Sequence, residues 1–336
     1  MPIRRPARLV FRFAAVLLVA GLAALLAVAL VPDPIVFTLH HSPPPADFAA
    51  ARAALESAGG KPALSEHGRP RALLHAGPTD QVFVLLHGLT NVPEQFVPLG
   101  RLLFERGHNV VIPLTPGHGN ADLMTDELAS FRAQAMLDAA NEAITAARAL
   151  GRRLTVVGLS INGTTIAWVA QNRADVDSAV LLAPFLAPRG LPAWAIPPTT
   201  RLLVRLPNAF VWWNPMKKEN LAGPVAGYPR FSSRSIGETM RLGLDVFAAS
   251  EQSAPACRSI LVVTTASDLA ASNARTARLA ANWNSHRPGV ATCYEFPAAE
   301  RVPHDLIDPQ QPDQQVALVY PRLIEMLEAG RPAGHP

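Results

Sequence analysis

Leu154-Thr155-Val156-Val157-Gly158-Leu159-Ser160-Ile161-Asn162-Gly163 is a short β-branched run ending in Gly-x-Ser-x-Asn-Gly, with a helical segment, Ile161 to Asn172, directly after it. This pattern predicts a strand, a sharp turn and a helix, with a serine at the tip. Such a turn holds the hydroxyl clear of its own backbone at the end of a sheet. It also aims a helix N-terminus at whatever the hydroxyl attacks. Gly158 fits a point where two backbones approach too closely for a Cβ. A small residue is usual two positions after the serine. Here Asn162 stands there, with Gly163 next, and the side chain of Asn162 is expected to crowd the turn.

Outward from this stretch, strands and helices alternate. Gln81 to Leu86 is a continuous apolar run, as in a strand buried on both faces of a parallel sheet. Pro93 to Arg106 has helical spacing, with Phe96, Leu99, Leu102 and Leu103 on one face and Gly107 as its stop. Asn109 to Pro113 reads as a strand, Thr125 to Leu150 as one long helix, and Ser178 to Ala183 as a strand. From Pro184 to about Pro255 the alternation breaks. Prolines and tryptophans cluster, and only two helical segments are expected, about Thr199 to Leu206 and Ser235 to Ala248. The alternation resumes with Ser259 to Thr265 as a strand, Asn273 to Trp283 as a helix and Val290 to Phe296 as a strand. A last helix runs from about Gln314 to Ala329. The expected fold is a mostly parallel central sheet covered by helices on both faces, with a cap insert at about 185–255 over the C-terminal sheet edge.

A serine hydroxyl needs a base, and the base needs an orienting acid. His304 lies in the loop after the last strand, at the sheet edge where Ser160 is expected. Asp268 lies just past the strand ending at Thr265. The chain order Ser160, Asp268, His304 is the order expected for such an elbow. Asp305 and Asp308 beside the histidine read as solvated carboxylates. A negative oxygen formed during attack needs fixed donors. The amide of Ile161, after the serine, is one. The amide of Leu89, in His87-Gly88-Leu89 after the first central strand, is chosen as the other. His87 and His118 read as structural. Trp194, Trp212 and Trp213 are expected to line a substrate site under the cap.

Three motifs then carry a resemblance: His87-Gly88-Leu89-Thr90-Asn91-Val92-Pro93, Pro113-Leu114-Thr115-Pro116-Gly117-His118-Gly119, and Gly158-Leu159-Ser160-Ile161-Asn162-Gly163. Over about residues 80 to 325 the chain resembles the α/β-hydrolase superfamily. It is most similar to bacterial carboxylesterases, monoacylglycerol lipases and the serine aminopeptidase-like group. The resemblance implies Ser160 as nucleophile, Asp268 as acid, His304 as base, and the Leu89 and Ile161 amides as the oxyanion hole. The Trp-rich cap, together with an anchor at a lipid surface, favours a lipid-like or otherwise apolar small-molecule ester as substrate. The alternatives are a peptidase, thioesterase or acyltransferase with the same three residues, or a non-catalytic binding factor on this fold. No phosphate-cradling loop or metal-ligand cluster is visible, so no cofactor is expected.

The 336 residues, 49% hydrophobic and 17% charged, suffice for one large domain. The net charge of +4 has a local origin. Arg4, Arg5, Arg8 and Arg12 precede the first acid, and the remainder has as many acids as bases. Nothing in that balance suits nucleic acid. Residues 1–12 therefore read as a basic cytoplasmic flank. Residues 13–31, nineteen without a charge, would span roughly 28 Å as a helix, about one hydrocarbon core. They read as a transmembrane signal anchor in the inner membrane, single-pass, with the catalytic domain on the periplasmic side. Ala27-Val28-Ala29 offers the rival of a cleaved signal peptide. Residues 32–70 read as a linker with one helix, about Ala46 to Ser57, and residues 71–330 as the globular domain. In an exported chain Cys257 and Cys293 could pair or remain free thiols.

Overall fold

A computed structural model describes residues 5–32, 34, 36–40, 42–58, 64–216, 224 and 226–329; for residues 5–13 and 24 only the backbone is described. The strands are β1 (Arg71–Leu73), β2 (Thr79–Leu86), β3 (Asn109–Ile112), β4 (Gly151–Leu159), β5 (Ser178–Leu182), β6 (Phe210–Trp212), β7 (Arg230–Ser232), β8 (Ser259–Thr265) and β9 (Ala291–Phe296). The helices are α1 (Arg5–Leu30), α2 (Phe48–Ala58), α3 (Val97–Glu105), α4 (Ala133–Ala147), α5 (Ile161–Asn172), α6 (Ile196–Arg205), α7 (Ser233–Gln252), α8 (Asn273–His286) and α9 (Val316–Ala329).

Seven strands form the main sheet in the order β1-β3-β2-β4-β5-β8-β9. All neighbours run parallel except β1, which is antiparallel to β3. The reason for the unbroken apolar runs is plain in β2. Val82, Val84 and Leu86 face a core shared with α4, α5, α7 and α8, while Phe83 and Leu85 face a second core shared with α3 and α9. In β4, Leu154 and Val156 face the first core, and Val157 and Leu159 the second. Each such side chain contributes roughly 1.5–3 kcal/mol when fully removed from water. β4 is central, so the residue that follows it emerges at the middle of the sheet's C-terminal edge.

Three expectations about elements need correction. The edge strand β1 precedes the first strand read from the sequence. The stretch expected as one helix from Thr125 to Leu150 is broken: a 3-10 turn at Glu127–Ser130 is followed by extended Phe131 (φ −54°, ψ 136°), and only then does α4 begin. The break buries the Phe131 ring in the core. Glu238 of α7 accepts from the Ala133 amide at the new helix start, a tertiary partner that no local pattern announces. The insert also holds a small antiparallel sheet, β6 with β7, where no strand was expected. Its helix α7 packs on α5 and contributes Leu242, Val246 and Phe247 to the main core.

The stretch read as a linker runs along α4. The Thr38 amide donates to Gln134, His40 Nδ1 lies 2.8 Å from Asp138 Oδ1, and Ala51 of α2 is fully buried. His41 lies outside the described residues. The C-terminal carbonyls of α1 find donors on α6: Arg201 reaches Ala29, and Arg205 reaches Val28 and Val31. These guanidinium groups satisfy acceptors that a helix end leaves unpaired. Among the described residues no helix is long and apolar enough to cross a membrane, so the anchor expected at 13–31 draws no support from them. Cys257 and Cys293 are free thiols, the first buried and the second exposed.

Candidate active site

Ser160 sits between β4 and α5 with φ 56° and ψ −112°, a backbone conformation that L-residues rarely adopt. Such strain costs roughly 1–3 kcal/mol and persists only when its surroundings hold it. Here the Ser160 amide donates to the Leu182 carbonyl of β5 (2.9 Å), and the Phe185 amide donates to the Ser160 carbonyl (3.0 Å). A Cβ at Gly158 would lie 2.2 Å from the Asn162 carbonyl oxygen. One at Gly163 would lie 2.8 Å from Pro184 Cα. The close approaches therefore fall at 158 and 163, and position 162 has room for a side chain. Asn162 does not crowd the turn. Its amide nitrogen donates to the His87 carbonyl (2.6 Å) and to Thr115 Oγ1 (2.8 Å).

His304 and Asp268 arrive from two further strand ends. Asp268 follows β8, and His304 lies in the loop after β9, held against β8 by the Thr265 hydroxyl donating to the Val302 carbonyl. His304 Nε2 is 2.9 Å from Ser160 Oγ, and His304 Nδ1 is 2.7 Å from Asp268 Oδ2. The other carboxylate oxygen of Asp268 accepts from the amides of Ala270 (2.7 Å) and Ala271 (2.9 Å). Burial pushes the Asp268 carboxyl up, but the His304 bond, the His304 charge and the two amides outweigh it and hold it below its usual range. An ionised Asp268 can only accept, which places the proton on His304 Nδ1 and leaves Nε2 to accept from the serine hydroxyl.

Among the described residues, the amides of Leu89 and Ile161 donate to no protein acceptor. The Gly88 amide is already committed to Gln95 Oε1 at 2.8 Å, whereas the next amide, that of Leu89, is not. Both Leu89 and Ile161 border a cavity of about 750 Å³ that has Ser160 and His304 in its wall. The rest of that wall is mostly apolar, with Phe185, Trp213, Tyr228, Phe231 and Leu269 prominent. Trp213 lies in the cavity wall, and its indole also donates to Thr90 Oγ1. Trp194 and Trp212 are not brought to the cavity wall. Trp194 is 79% exposed, and Trp212 pairs with Arg230 between β6 and β7.

His87 and His118 are buried side by side, with ring centroids 5.1 Å apart. His87 Nε2 accepts from the Thr115 amide, so its proton sits on Nδ1. Burial, aided by the neighbouring His118, drives the His87 pKa down to about 3. Burial drives that of His118 to about 4, against hydrogen bonds to the backbone of Pro116 and Thr115. Both are neutral structural rings.

The sequence reading passed over Gln95 and misplaced Asp305 and Asp308. Gln95 is 3% exposed and donates to Asp305 Oδ2 (2.8 Å), which also takes a bond from Gln311 (2.9 Å). Asn91 donates to Asp308 Oδ2 (3.0 Å). Asp308 is buried, and Asp305 is half-buried at the cavity wall with its Oδ1 shut off from solvent. Burial first, then the charge of Asp308, pushes Asp305 up to about 6, against the pull of Gln311, Gln95 and His304. The available signal was two amides seven residues or less past His87-Gly88, facing two acids after His304. Only the fold brings those segments together.

Residues 83–332 match the model of the alpha/beta hydrolase family. No curated protein sequence matches the chain. Among solved structures, the fold is similar to a metagenome-derived lipolytic enzyme from the study of LipS and LipT (14% identity, TM-score 0.58, covering 79% of this chain and 99% of that one). It is similar to the Paleococcus ferrophilus monoacylglycerol lipase (17% identity, TM-score 0.58, 77% and 98%). It is also similar to a soluble variant of Saccharomyces cerevisiae monoglyceride lipase (9% identity, TM-score 0.60, 90% and 100%). At such identities the likeness is one of fold.

Proposed function

We infer the function from one premise: the chain belongs to the alpha/beta hydrolase family. Within it, we propose a serine hydrolase that cleaves carboxylic esters through an acyl-enzyme intermediate, with Ser160 as nucleophile, His304 as base and Asp268 as orienting acid. The observation that carries this is His304 bridging Asp268 and Ser160 at 2.7 and 2.9 Å in the wall of an apolar cavity.

In the proposed reaction Ser160 Oγ attacks the ester carbonyl carbon while His304 Nε2 takes its proton. The carbonyl electron pair moves to oxygen, where the Leu89 and Ile161 amides receive the charge. Asp268 balances the imidazolium. The intermediate collapses, the alcohol leaves with the proton from Nε2, and the acyl group stays on Ser160. His304 then deprotonates a water that attacks the acyl carbon. Collapse returns the proton to Ser160 and releases the carboxylic acid.

The apolar wall supports an acyl or lipid-like substrate. The names of the similar structures, two of them monoglyceride lipases, lean the same way. The membrane anchor and export also remain proposals. Their support is in the sequence: the charge-free run 13–31 and the arginines confined to its N-terminal side.

A fluorophosphonate probe should label Ser160 in the wild-type protein and leave Ser160→Ala untouched. A panel of p-nitrophenyl esters, acyl-thioesters and amino-acid anilides should show ester turnover that the same substitution removes. Turnover of thioesters or anilides with none of esters would replace the ester assignment. Folded protein that the probe does not label would reject serine catalysis altogether. Membrane fractionation of full-length chain against chain lacking residues 1–31 tests the anchor.

A further inference from the structure

Two loops supply the parts of the proposed site that must agree in position. The segment after β2 carries the Leu89 amide, and the segment after β9 carries His304. They are far apart in the chain, yet Gln95 holds both. Its Oε1 accepts from the Gly88 amide (2.8 Å), the one immediately before Leu89, and its Nε2 donates to Asp305 Oδ2 (2.8 Å), the residue immediately after His304. Gln95 is buried at 3% exposure. A second strap joins the same two segments, Asn91 Nδ2 to Asp308 Oδ2 at 3.0 Å. Gln311, three residues past Asp308, steadies Asp305 from the other side.

We propose that Gln95 is a positioning residue, which sets the oxyanion-hole loop in register with the histidine loop by bonding Gly88 and Asp305 at once. This rests on the serine-hydrolase reading above. A buried glutamine is well suited to the task. One end accepts and the other donates, and the bond to a carboxylate is of the stronger, charge-assisted kind. Gln95 lies in the wall of the cavity, but both ends of its amide are committed to Gly88 and Asp305, so the role assigned to it is exerted through Leu89 and His304.

The direction of the Gln95–Asp305 bond makes the proposal testable. Gln95→Glu keeps an acceptor for the Gly88 amide but sets a second carboxylate against Asp305, whose charge Asp308 already opposes, with Glu94 beyond it, and His304 partly offsets. Asp305→Asn added to it rebuilds the bridge in reverse: the side-chain NH2 introduced at position 305 donates to the carboxylate introduced at position 95, and Gln311, which in the wild type donates to the same Asp305 Oδ2, turns its amide over so that its Oε1 accepts the second N–H. Gln95→Glu should lower kcat at pH 8 by roughly 10- to 100-fold, the scale of a misplacement near 1 Å, with KM changed far less. Its activity relative to wild type at the same pH should rise as the pH falls and the carboxylate pair takes up a proton. The double variant should recover at least tenfold over Gln95→Glu at pH 8. Fluorophosphonate titration of Ser160 counts folded sites in every preparation. Full activity of Gln95→Glu at pH 8, a pH-independent deficit, or a double variant no better than the single would each overturn the positioning role. A wild-type chain that hydrolyses no ester sinks the ester assignment instead. The role of Gln95 is then read from the rate of Ser160 phosphonylation, which needs the same base and the same amides.

Discussion

Asn162 Nδ2 donates to the His87 carbonyl across 2.6 Å, joining the helix after Ser160 to the end of the neighbouring strand β2. The same nitrogen reaches Thr115 Oγ1 in the loop after β3. One side chain thus pins three strand ends where the proposed nucleophile and oxyanion donors sit. Asn162→Ala strands the buried His87 carbonyl. It should destabilise the fold by about 1–3 kcal/mol, offset in part because Asn162 Oδ1 has no protein partner to lose. Urea unfolding checks this, and an unchanged midpoint would show that the elbow holds without the strap.

The same turn makes Gly158 the least replaceable residue of the motif. A Cβ there meets the Asn162 carbonyl oxygen at 2.2 Å, and that atom is backbone in the first turn of α5. Gly158→Ala should cost the upper end of roughly 1–3 kcal/mol or more. It should also displace Ser160 enough to slow fluorophosphonate labelling. Normal labelling of a stable Gly158→Ala protein would contradict the clash.

In the proposed reaction Asp268, 2.7 Å from His304 Nδ1, orients the imidazole and balances its charge. Asp268→Asn should lower kcat by roughly 10³–10⁴-fold while leaving KM within a few-fold. Steady-state kinetics on the best ester of the panel decides this, and a loss below tenfold would move the acid's role to another residue.

Asp305 has its pKa raised to about 6, so its charged form is a burden on the native state. Between the unfolded value of 3.8 and about 6 the native protein binds the extra proton, and stability falls as pH rises through that window. Asp305→Asn should therefore unfold later than wild type at pH 8, with an advantage that shrinks below about pH 6. Paired denaturation curves at pH 8 and pH 5 measure it. An advantage that grows at low pH would reverse the sign.

His87 and His118 should remain neutral well below the ordinary histidine range, titrating near about 3 and about 4. For these groups the unfolded chain binds the protons first. Their contribution to stability is present above pH 6.5 and is lost as pH falls below it. Ring nitrogen shifts followed by NMR from pH 8 to pH 5 should stay constant for both, in the Nδ1–H tautomer for His87. Titration of either near 6.5 would remove it from the buried neutral pair.

Much of this molecule is local in origin. The alternation of apolar runs with helical spacing marks a parallel sheet, because strands covered on both faces have no polar side. Gly158, Ser160 and the helix after them mark the elbow, because a turn that tight needs glycine at the close approach. Asp268 and His304 are legible from their places after β8 and β9, since sheet topology brings strand ends to one edge. What the sequence could not determine depends on partners distant in the chain. The helix expected from Thr125 is broken because Phe131 finds a core and Ala133 finds Glu238. Asn162 looks like an obstruction until His87 and Thr115 face it. Asp305 and Asp308 look solvated until Gln95 and Asn91 cover them. Trp194 and Trp213 are alike in composition and differ only in which side of the insert faces Ser160. Periodicity and turn chemistry are properties of neighbours in sequence. Hydrogen-bond direction, burial and the meeting of two loops are properties of neighbours in space, and only the tertiary structure supplies those.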